Sequence, residues 1–252
     1  MPIPEYHAKL SPSSAARWIN CPASVKLSDG MPETTSADAE RGRLAHAIAE
    51  LKARKKFLTP MSARTFSSQL KKLHEDPRYE KTMDEATDSY IEELTAHAMN
   101  FKAPPFIALE TRVPIGLITG EHQADGTPAF GTADCIQIGE GILWITDYKN
   151  GAGVPVEAEE NPQMMLYALG ALAYYRPFYG DTLHIARMTI VQPAAGGVST
   201  WETTRSALEA WGYDVVVPAA GKALSGEEEP RSGEWCRSHF CPLRATCRAR
   251  AQ

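Results

Sequence analysis

Residues 131–151 read GTADCIQIGEGILWITDYKNG, and this stretch decides the fold of the chain. Two runs rich in β-branched and aromatic residues flank a Gly-Glu-Gly step, which is typical of two antiparallel strands joined by a tight turn. Side chains alternate between the faces of a strand, so Asp147 and Lys149 project to the same side. The register of this hairpin can place Asp134, on its first strand, beside both of them.

The elements around the hairpin predict a sheet covered by helices. Apolar residues at helical spacing predict helices over 38–57 and 80–101, and alternation predicts a strand over 107–113. After the hairpin we expect a helix from Asn161-Pro162, strands over 182–192 and 198–202, and a last helix over about 205–224. This order predicts one α/β domain with a mixed central sheet flanked by helices.

Composition sets limits on the setting and on the partners. The 252 residues carry 26 Lys+Arg and 31 Asp+Glu, a net charge of −5, which argues against binding nucleic acid by bulk charge. A local basic groove stays possible, because residues 52–74 contain lysine and arginine but no acid. No apolar run reaches the roughly 18 residues of a membrane span, and the first residues lack a signal-peptide pattern. We therefore expect a cytoplasmic protein without membrane contact.

Asp134, Asp147 and Lys149 are the first candidates for chemistry. Two ionised carboxylates held close together repel each other, and a divalent cation such as Mg²⁺ or Mn²⁺ relieves that repulsion. A protonated lysine cannot ligate the metal, but it can orient a water or stabilise charge on a phosphate. The alternative is that Asp134 is a turn acid and that the other two form a solvated pair at a strand end.

The cysteines form a second candidate site. Three of the five lie close together in the pattern Cys236-x4-Cys241-x5-Cys247, and Cys21 and Cys241 each precede a proline. In a reducing compartment this grouping favours metal or iron–sulfur ligation over disulfides. Cys135 lies in an apolar strand pattern and is expected to be a core residue.

Four short motifs in chain order carry a family resemblance: Gly42-Arg-Leu-Ala-His46, Gly131-Thr-Ala-Asp134, Asp147-Tyr-Lys149 and Gln163-x3-Tyr167. With them the sequence resembles the RecB-type branch of the PD-(D/E)XK nuclease superfamily, from about residue 41 to residue 167. One cysteine before this core and three after it look like the iron–sulfur nucleases of the branch, including the AddB nuclease domain and CRISPR-adaptation exonucleases. The opening LSPSSAARWINCPAS also looks like phage and prophage members.

The resemblance implies a restriction-endonuclease-like core that hydrolyses DNA, acting as an exonuclease on single strands or on DNA ends. It implies one nuclease domain over 1–252, with a helical region at 36–103, a sheet core at 104–225 and cluster-binding ends at 1–35 and 231–252. Phage recombination or replication proteins are possible partners. A non-catalytic DNA-binding or recombination-complex subunit, or a zinc-stabilised phage interaction protein, are the alternatives.

The resemblance also implies roles for individual residues. The divalent ion, Mg²⁺ or Mn²⁺, would be bound by His46, Asp134, Asp147 and the carbonyl group of Tyr148. Lys149 would position or activate the attacking water. The remaining site residues would hold the DNA strand near the scissile phosphate, and these are Gln163 and Tyr167.

Two further assignments follow from the resemblance. One [4Fe–4S] cluster would join the two ends of the chain through Cys21, Cys236, Cys241 and Cys247. Zinc is the competitor, although its sites usually show tighter cysteine pairs. Glu110 lies on the preceding strand, where relatives often carry an acid near the metal, but the sequence does not fix its side, and a surface role is equally open.

Basic and aromatic residues outside the motifs are candidates for DNA contact. The lysines and arginines of 52–74 would line one wall of a groove, or else form a solvated face. Trp18, Tyr148 and Trp235 could stack on bases, although core packing is the default expectation for each. Positive charge around the cysteines comes from Arg231, Arg237, Arg244, Arg248 and Arg250.

Overall fold

A five-stranded mixed sheet forms the centre of the computed structural model, which describes residues 8–31, 36–58, 60–238 and 241–251. The strands lie in chain order: β1 (Phe106–Val113), β2 (Gly131–Gly139), β3 (Ile142–Tyr148), β4 (Ile185–Gln192) and β5 (Gly197–Thr204). The β3–β4 pair is parallel and the other three pairs are antiparallel. The predicted mixed sheet is confirmed.

The hairpin of residues 131–148 closes as the sequence predicts. Glu140 and Gly141 occupy the turn with φ of 50° and 80°. Two consecutive positive φ values match the twist of the flanking strands in a two-residue hairpin loop. The turn fixes the β2–β3 register, and with it the positions of the polar residues at the far ends of both strands.

Helices cover both faces of the sheet. They are α1 (Ala15–Asn20), α2 (Ala23–Ser28), α3 (Ala37–Ala53), α4 (Ala63–His74), α5 (Lys81–Met99), α6 (Gly116–Thr119), α7 (Pro162–Tyr179), α8 (Arg205–Trp211), α9 (Val217–Ser225), α10 (Trp235–Ser238) and α11 (Arg248–Ala251). The helix predicted over 205–224 is present as α8 and α9, joined by a π-helical turn at Gly212–Val216. None of the described helices is long and apolar enough to cross a membrane.

Three apolar clusters hold the layers together. Helix α7 packs on one face of the sheet through residues such as Met164, and α3 with α5 packs on the other face around Leu94. The third cluster joins α1 to α7 and α9 around the fully buried Trp18. Tyr148 and Cys135 are also fully buried, so core packing is confirmed for these three side chains.

Helix α4 is an element that the sequence reading did not predict. Ser62 caps its first turn by accepting a hydrogen bond from the Thr65 amide at 3.0 Å. None of its residues is fully buried, and Phe66, Leu70 and Leu73 only partly cover α3 and α5. The helix is therefore attached by a narrow apolar stripe, and its basic face is exposed.

Strand β1 changes sides at Glu110. Leu109 packs toward α3 and α5, but Val113 packs toward α7, although both residues have odd numbers and would share a face in regular alternation. Between them Glu110 has a φ of 48°, in the left-handed region that residues with a Cβ rarely adopt. At this single residue the alternation of side chains is interrupted, so that odd-numbered residues after it lie on the opposite face of the sheet.

Candidate metal centre

Three carboxylates form a row across neighbouring strands at one end of the sheet. The residues that flank Glu110 pair with those that flank Asp134, so the two lie opposite each other on β1 and β2. Cys135 pairs with Thr146, which puts Asp147 of β3 at the next position across from Asp134. The backbone register thus brings together two acids predicted from the sequence and one whose side the sequence left open.

Helix α3 adds an imidazole to this row. Nδ1 of His46 lies 3.5 Å from Oδ2 of Asp134. One ligand atom each from His46, Glu110 and Asp134 lies within 4.8 Å of the others, and within the described ranges no other trio of His, Cys, Asp or Glu does so. One ring nitrogen and two carboxylates are a donor set that suits Mn²⁺ or Mg²⁺.

Strand β2 changes sides at Asp134, just as β1 does at Glu110. Ala133 packs toward α7 and Cys135 packs toward α3, although the two are separated by one residue. The Asp134 carboxylate also accepts a hydrogen bond from the Tyr148 amide at 2.8 Å. The side chains of β1 and β2 change faces at paired positions, so the side chains of Glu110 and Asp134 both lie close to His46.

The partly buried acids Glu110 and Asp134 carry raised pKa values. Burial raises the pKa of Glu110 to about 8, and the neighbouring Asp134 and Glu50 add to the effect. Burial also raises the pKa of Asp134 to about 6, assisted by Asp147 and opposed by His46. A bound cation reverses this preference, because it favours the charged form of every carboxylate around it.

Asp147 heads a second chain of polar contacts, which points toward α7. Its Oδ2 lies 3.0 Å from Nζ of Lys149, and its Oδ1 accepts a hydrogen bond from Nε2 of Gln163 at 3.0 Å. Lys149 in turn donates to Oε1 of Gln163 at 3.0 Å, and Gln163 Nε2 lies 3.4 Å from the Tyr167 hydroxyl. All five residues assigned to catalysis therefore lie at one end of the sheet, with Asp147 outside the His46–Glu110–Asp134 trio.

The Lys149 ammonium group is held in its charged form. Burial alone would lower its pKa, but the negative charges of Asp147 and Asp134 together outweigh burial, so the pKa is raised. A lysine that stays protonated can donate hydrogen bonds and stabilise negative charge, but it cannot accept a proton. Lys149 therefore acts as a hydrogen-bond donor toward Asp147 and Gln163.

Local structure explains how α7 presents its two site residues. Asn161 caps the helix by accepting hydrogen bonds from the amides of Gln163 and Met164, which fixes Gln163 in the first turn. A Cβ atom at Gly131 would lie 2.9 Å from Cε1 of Tyr167, so only glycine lets the aromatic ring approach β2. The glycine of the Gly131-Thr-Ala-Asp134 motif therefore has a steric role beside the Tyr167 ring.

Two residues that sequence reasoning missed or left open support the site. Glu110 belongs to the candidate ligand set, and its positive φ had no signal in the sequence. Gln192, buried at the end of β4, donates to the Gly151 carbonyl at 2.8 Å and accepts from the Val156 amide at 2.9 Å. These bonds fasten the loop that follows Lys149.

The four predicted cluster cysteines line one small pocket between the two ends of the chain. Cys21 ends α1, and Cys236, Cys241 and Cys247 come from the C-terminal segment; all four are free thiols. Four thiols around one pocket are a donor set that suits either a zinc ion or an iron–sulfur cluster.

The basic stretch of residues 52–74 does not form a uniform positive wall. Lys52 is directed into the protein, where its Nζ lies 2.7 Å from Asp88 and 3.2 Å from Asp84. Lys55 and Lys56 line an open groove between α3, α4 and α5, with Phe66 at its side. Asp84 and Asp88 line the same groove, so its lysines are accompanied by acidic side chains.

The comparison with known families assigns the chain. The family described as "Protein of unknown function (DUF2800)" matches residues 7–252. The chain belongs to the DUF2800 family. The crystal structure of a protein designated SSO0001 is similar over 94% of this chain and 96% of its own, with 11% identity and a TM-score of 0.36. At that TM-score the likeness says nothing further about the DUF2800 site.

Proposed function

We propose that this DUF2800 chain is a metal-dependent deoxyribonuclease with a restriction-endonuclease-like core, acting as an exonuclease on single-stranded DNA or DNA ends. The observation that carries the proposal is the arrangement at one end of the sheet. Two acids on adjacent strands lie beside a helix histidine, and a third acid follows on the next strand. A partly buried lysine is held by the same glutamine that holds this third acid.

The donor set supports Mg²⁺ or Mn²⁺ as the cofactor. His46, Glu110 and Asp134 would hold the ion, with Asp147 and the carbonyl group of Tyr148 at the adjacent positions. When bound, such an ion supplies a Lewis acid that acidifies water and neutralises charge on phosphate oxygens. The raised carboxyl pKa values in this site fit a cluster of acids that a cation stabilises.

The protein's own residues would then position the reacting groups. Lys149 donates hydrogen bonds to the attacking water or to a non-bridging phosphate oxygen, where negative charge increases during in-line attack. Gln163 fixes the lysine and Asp147 relative to each other, so that neither has to reorient during the reaction. Tyr167, next to Gln163, contacts the DNA strand near the scissile phosphate.

The four cysteines support a second cofactor, a [4Fe–4S] cluster that joins the chain ends. The donor set is four free thiols around one pocket, and the spacing Cys236-x4-Cys241-x5-Cys247 is looser than the cysteine pairs usual in zinc sites. When bound, the cluster supplies a crosslink between residue 21 and residues 236–247. A crosslink over so long a loop strongly restricts the unfolded chain, so its role here is structural.

Digestion of end-labelled DNA tests the nuclease proposal. Single- and double-stranded oligonucleotides labelled at the 5′ or the 3′ end are incubated with Mn²⁺, Mg²⁺ or chelator. We expect stepwise shortening with the metals and none with chelator. Lys149→Met should abolish the reaction, whereas Lys102→Ala, at an exposed lysine, should retain it. Intact DNA with the folded wild type and either metal would overturn the proposal.

A further inference from the structure

The pocket lined by the four cysteines is surrounded by hydrogen-bond donors that lack acceptors. Five buried side-chain N or O atoms among the described residues have no hydrogen-bond partner, and three of the five line this pocket: Ser24 Oγ, Arg17 Nε and Trp235 Nε1. The other two are acceptor oxygens in the sheet, on Gln137 and Asp147, so all the unpartnered donor groups of this set lie around one small pocket.

The missing acceptors have an energetic consequence. A buried donor without a partner destabilises the folded state, because it has lost its hydrogen bonds to water and gained none in return. Ser24 is 2% exposed, so water does not reach its hydroxyl group in place of a protein partner. Three such unpaired donors on residues that line one pocket indicate that the pocket takes up an electron-rich group.

The donors come from both ends of the chain. Arg17 and Ser24 lie on α1 and α2, on either side of Cys21, and Trp235 begins α10, next to Cys236. The indole ring is held against Gly233, where an added Cβ atom would lie 2.3 Å from the ring. A backbone donor completes the set, since the Arg231 amide lies 3.4 Å from Sγ of Cys21.

Charge around the pocket is complementary to the same kind of group. Three arginines line the pocket: Arg17, Arg231 and Arg244. Four thiolates with sulfide would bring negative charge into it. Within the described residues Arg17 forms no ion pair with a carboxylate, so its charge is available to the pocket. Hydrogen bonds and positive charge near cluster sulfur atoms are what set the reduction potential of iron–sulfur centres.

We infer that Ser24, Trp235 and Arg17 form a donor shell that hydrogen-bonds the sulfur atoms of the cysteine-bound cluster and stabilises its reduced state. The inference rests on the cluster named under the proposed function, but not on the nuclease activity. When the cluster accepts one electron from dithionite its negative charge increases, so each donated hydrogen bond becomes stronger. These are positioning residues, and none of them ligates iron.

Anaerobically purified protein provides the test. Iron and acid-labile sulfide are measured first, and the midpoint potential is then recorded by dithionite titration followed by visible absorption and electron paramagnetic resonance. In Trp235→Phe and Ser24→Ala we expect wild-type iron content and a more negative potential. A hydrogen bond that favours the reduced state tenfold corresponds to about 59 mV for one electron. Gly233→Ala should act in the same direction, because it displaces the indole without removing it.

Matched controls separate a donor effect from a packing effect. Ser28 lies on the same helix as Ser24, but it donates its hydroxyl hydrogen bond to the Ser24 carbonyl and does not line the pocket. The midpoint potential of the Ser28→Ala variant should therefore equal that of the wild type. Equal potentials in wild type, Trp235→Phe and Ser24→Ala would overturn the donor shell. Stoichiometric zinc in place of iron would overturn it as well. Neither readout uses DNA, so a failed nuclease assay leaves the result standing.

Discussion

Glu110 and Asp134 face each other across the β1–β2 pair, and burial raises the pKa of the two carboxyl groups to about 8 and about 6. Both residues lie where their strands change sides, and both turn toward His46. Two partly buried acids beside an imidazole are poorly stabilised without a cation. The relationship therefore leads directly to a prediction about metal binding.

Glu110→Gln should weaken Mn²⁺ binding by at least about tenfold, because it removes a charged ligand and keeps the shape. Metal competes with protons for the carboxylates, so wild-type affinity should rise as pH increases through 6 and 8, and the rise above pH 7 should be smaller in the variant. Isothermal titration calorimetry at several pH values measures both. Glu159→Gln, at an exposed acid, is the control; equal affinities for both variants would remove Glu110 from the site.

Gln163→Leu should lower kcat for DNA hydrolysis by about 10- to 100-fold while KM changes less. The amide holds Asp147 and Lys149 at 3.0 Å each, and leucine leaves both groups free to reorient. Single-turnover digestion of labelled DNA at saturating protein measures the chemical step. Gln123→Leu, at a partly exposed glutamine outside the site, should behave as wild type, and an unchanged rate in Gln163→Leu would show that the amide has no positioning role.

Gly131→Ala should destabilise the fold by about 1–3 kcal/mol, because its Cβ would lie 2.7 Å from Pro12 and 2.9 Å from the Tyr167 ring. Gly221→Ala is the matched change, since a Cβ there meets nothing within 4 Å in the exposed interior of α9. It should stabilise by about 0.5–1 kcal/mol. Urea denaturation followed by circular dichroism distinguishes the two signs, and equal effects would contradict the steric argument.

His97 should make the fold less stable in mild acid. Burial, with a contribution from Arg187, lowers its pKa from 6.5 to about 4. Because the folded-state pKa is below the unfolded value, its contribution is complete above pH 6.5 and is lost as pH falls toward 4, by about 3 kcal/mol. His97→Phe keeps the stack on Trp144 and should flatten this part of the pH–stability curve. His184→Phe, at an exposed histidine, is the reference variant. If the unfolding free energy of His97→Phe depended on pH as steeply as that of the wild type, the assignment to His97 would be wrong.

Local signals were sufficient to predict most of the sheet. The Gly-Glu-Gly step and the alternation on both sides of it predict the hairpin, and the hairpin register alone brings Asp134 to Asp147. Asn161-Pro162 likewise predicts the start of α7, since the cap is formed by the asparagine itself. These features depend on contacts within a few residues or on backbone pairing, which a sequence pattern reports.

Other features depend on distant packing, which no pattern reports. The side taken by Glu110 results from one left-handed residue in a strand, whereas alternation rules assume that none occurs. Helix α4 escaped prediction because its apolar residues are few and only partly covered. The loop attachment by Gln192 joins residues about 40 positions apart, and the unpaired donors around the cysteines become visible only when both chain ends are present.

The row of acids on β1, β2 and β3 has a consequence for engineering. Its spacing is set by main-chain pairing, so the β1–β2 connection can be lengthened without moving the candidate ligand atoms, whereas the two-residue β2–β3 turn has to be kept. The length of the acidic side chains would then determine which cation fits the site. Shortening Glu110 to aspartate would enlarge the cavity by one methylene and should shift selectivity toward larger ions, while the scaffold stays intact.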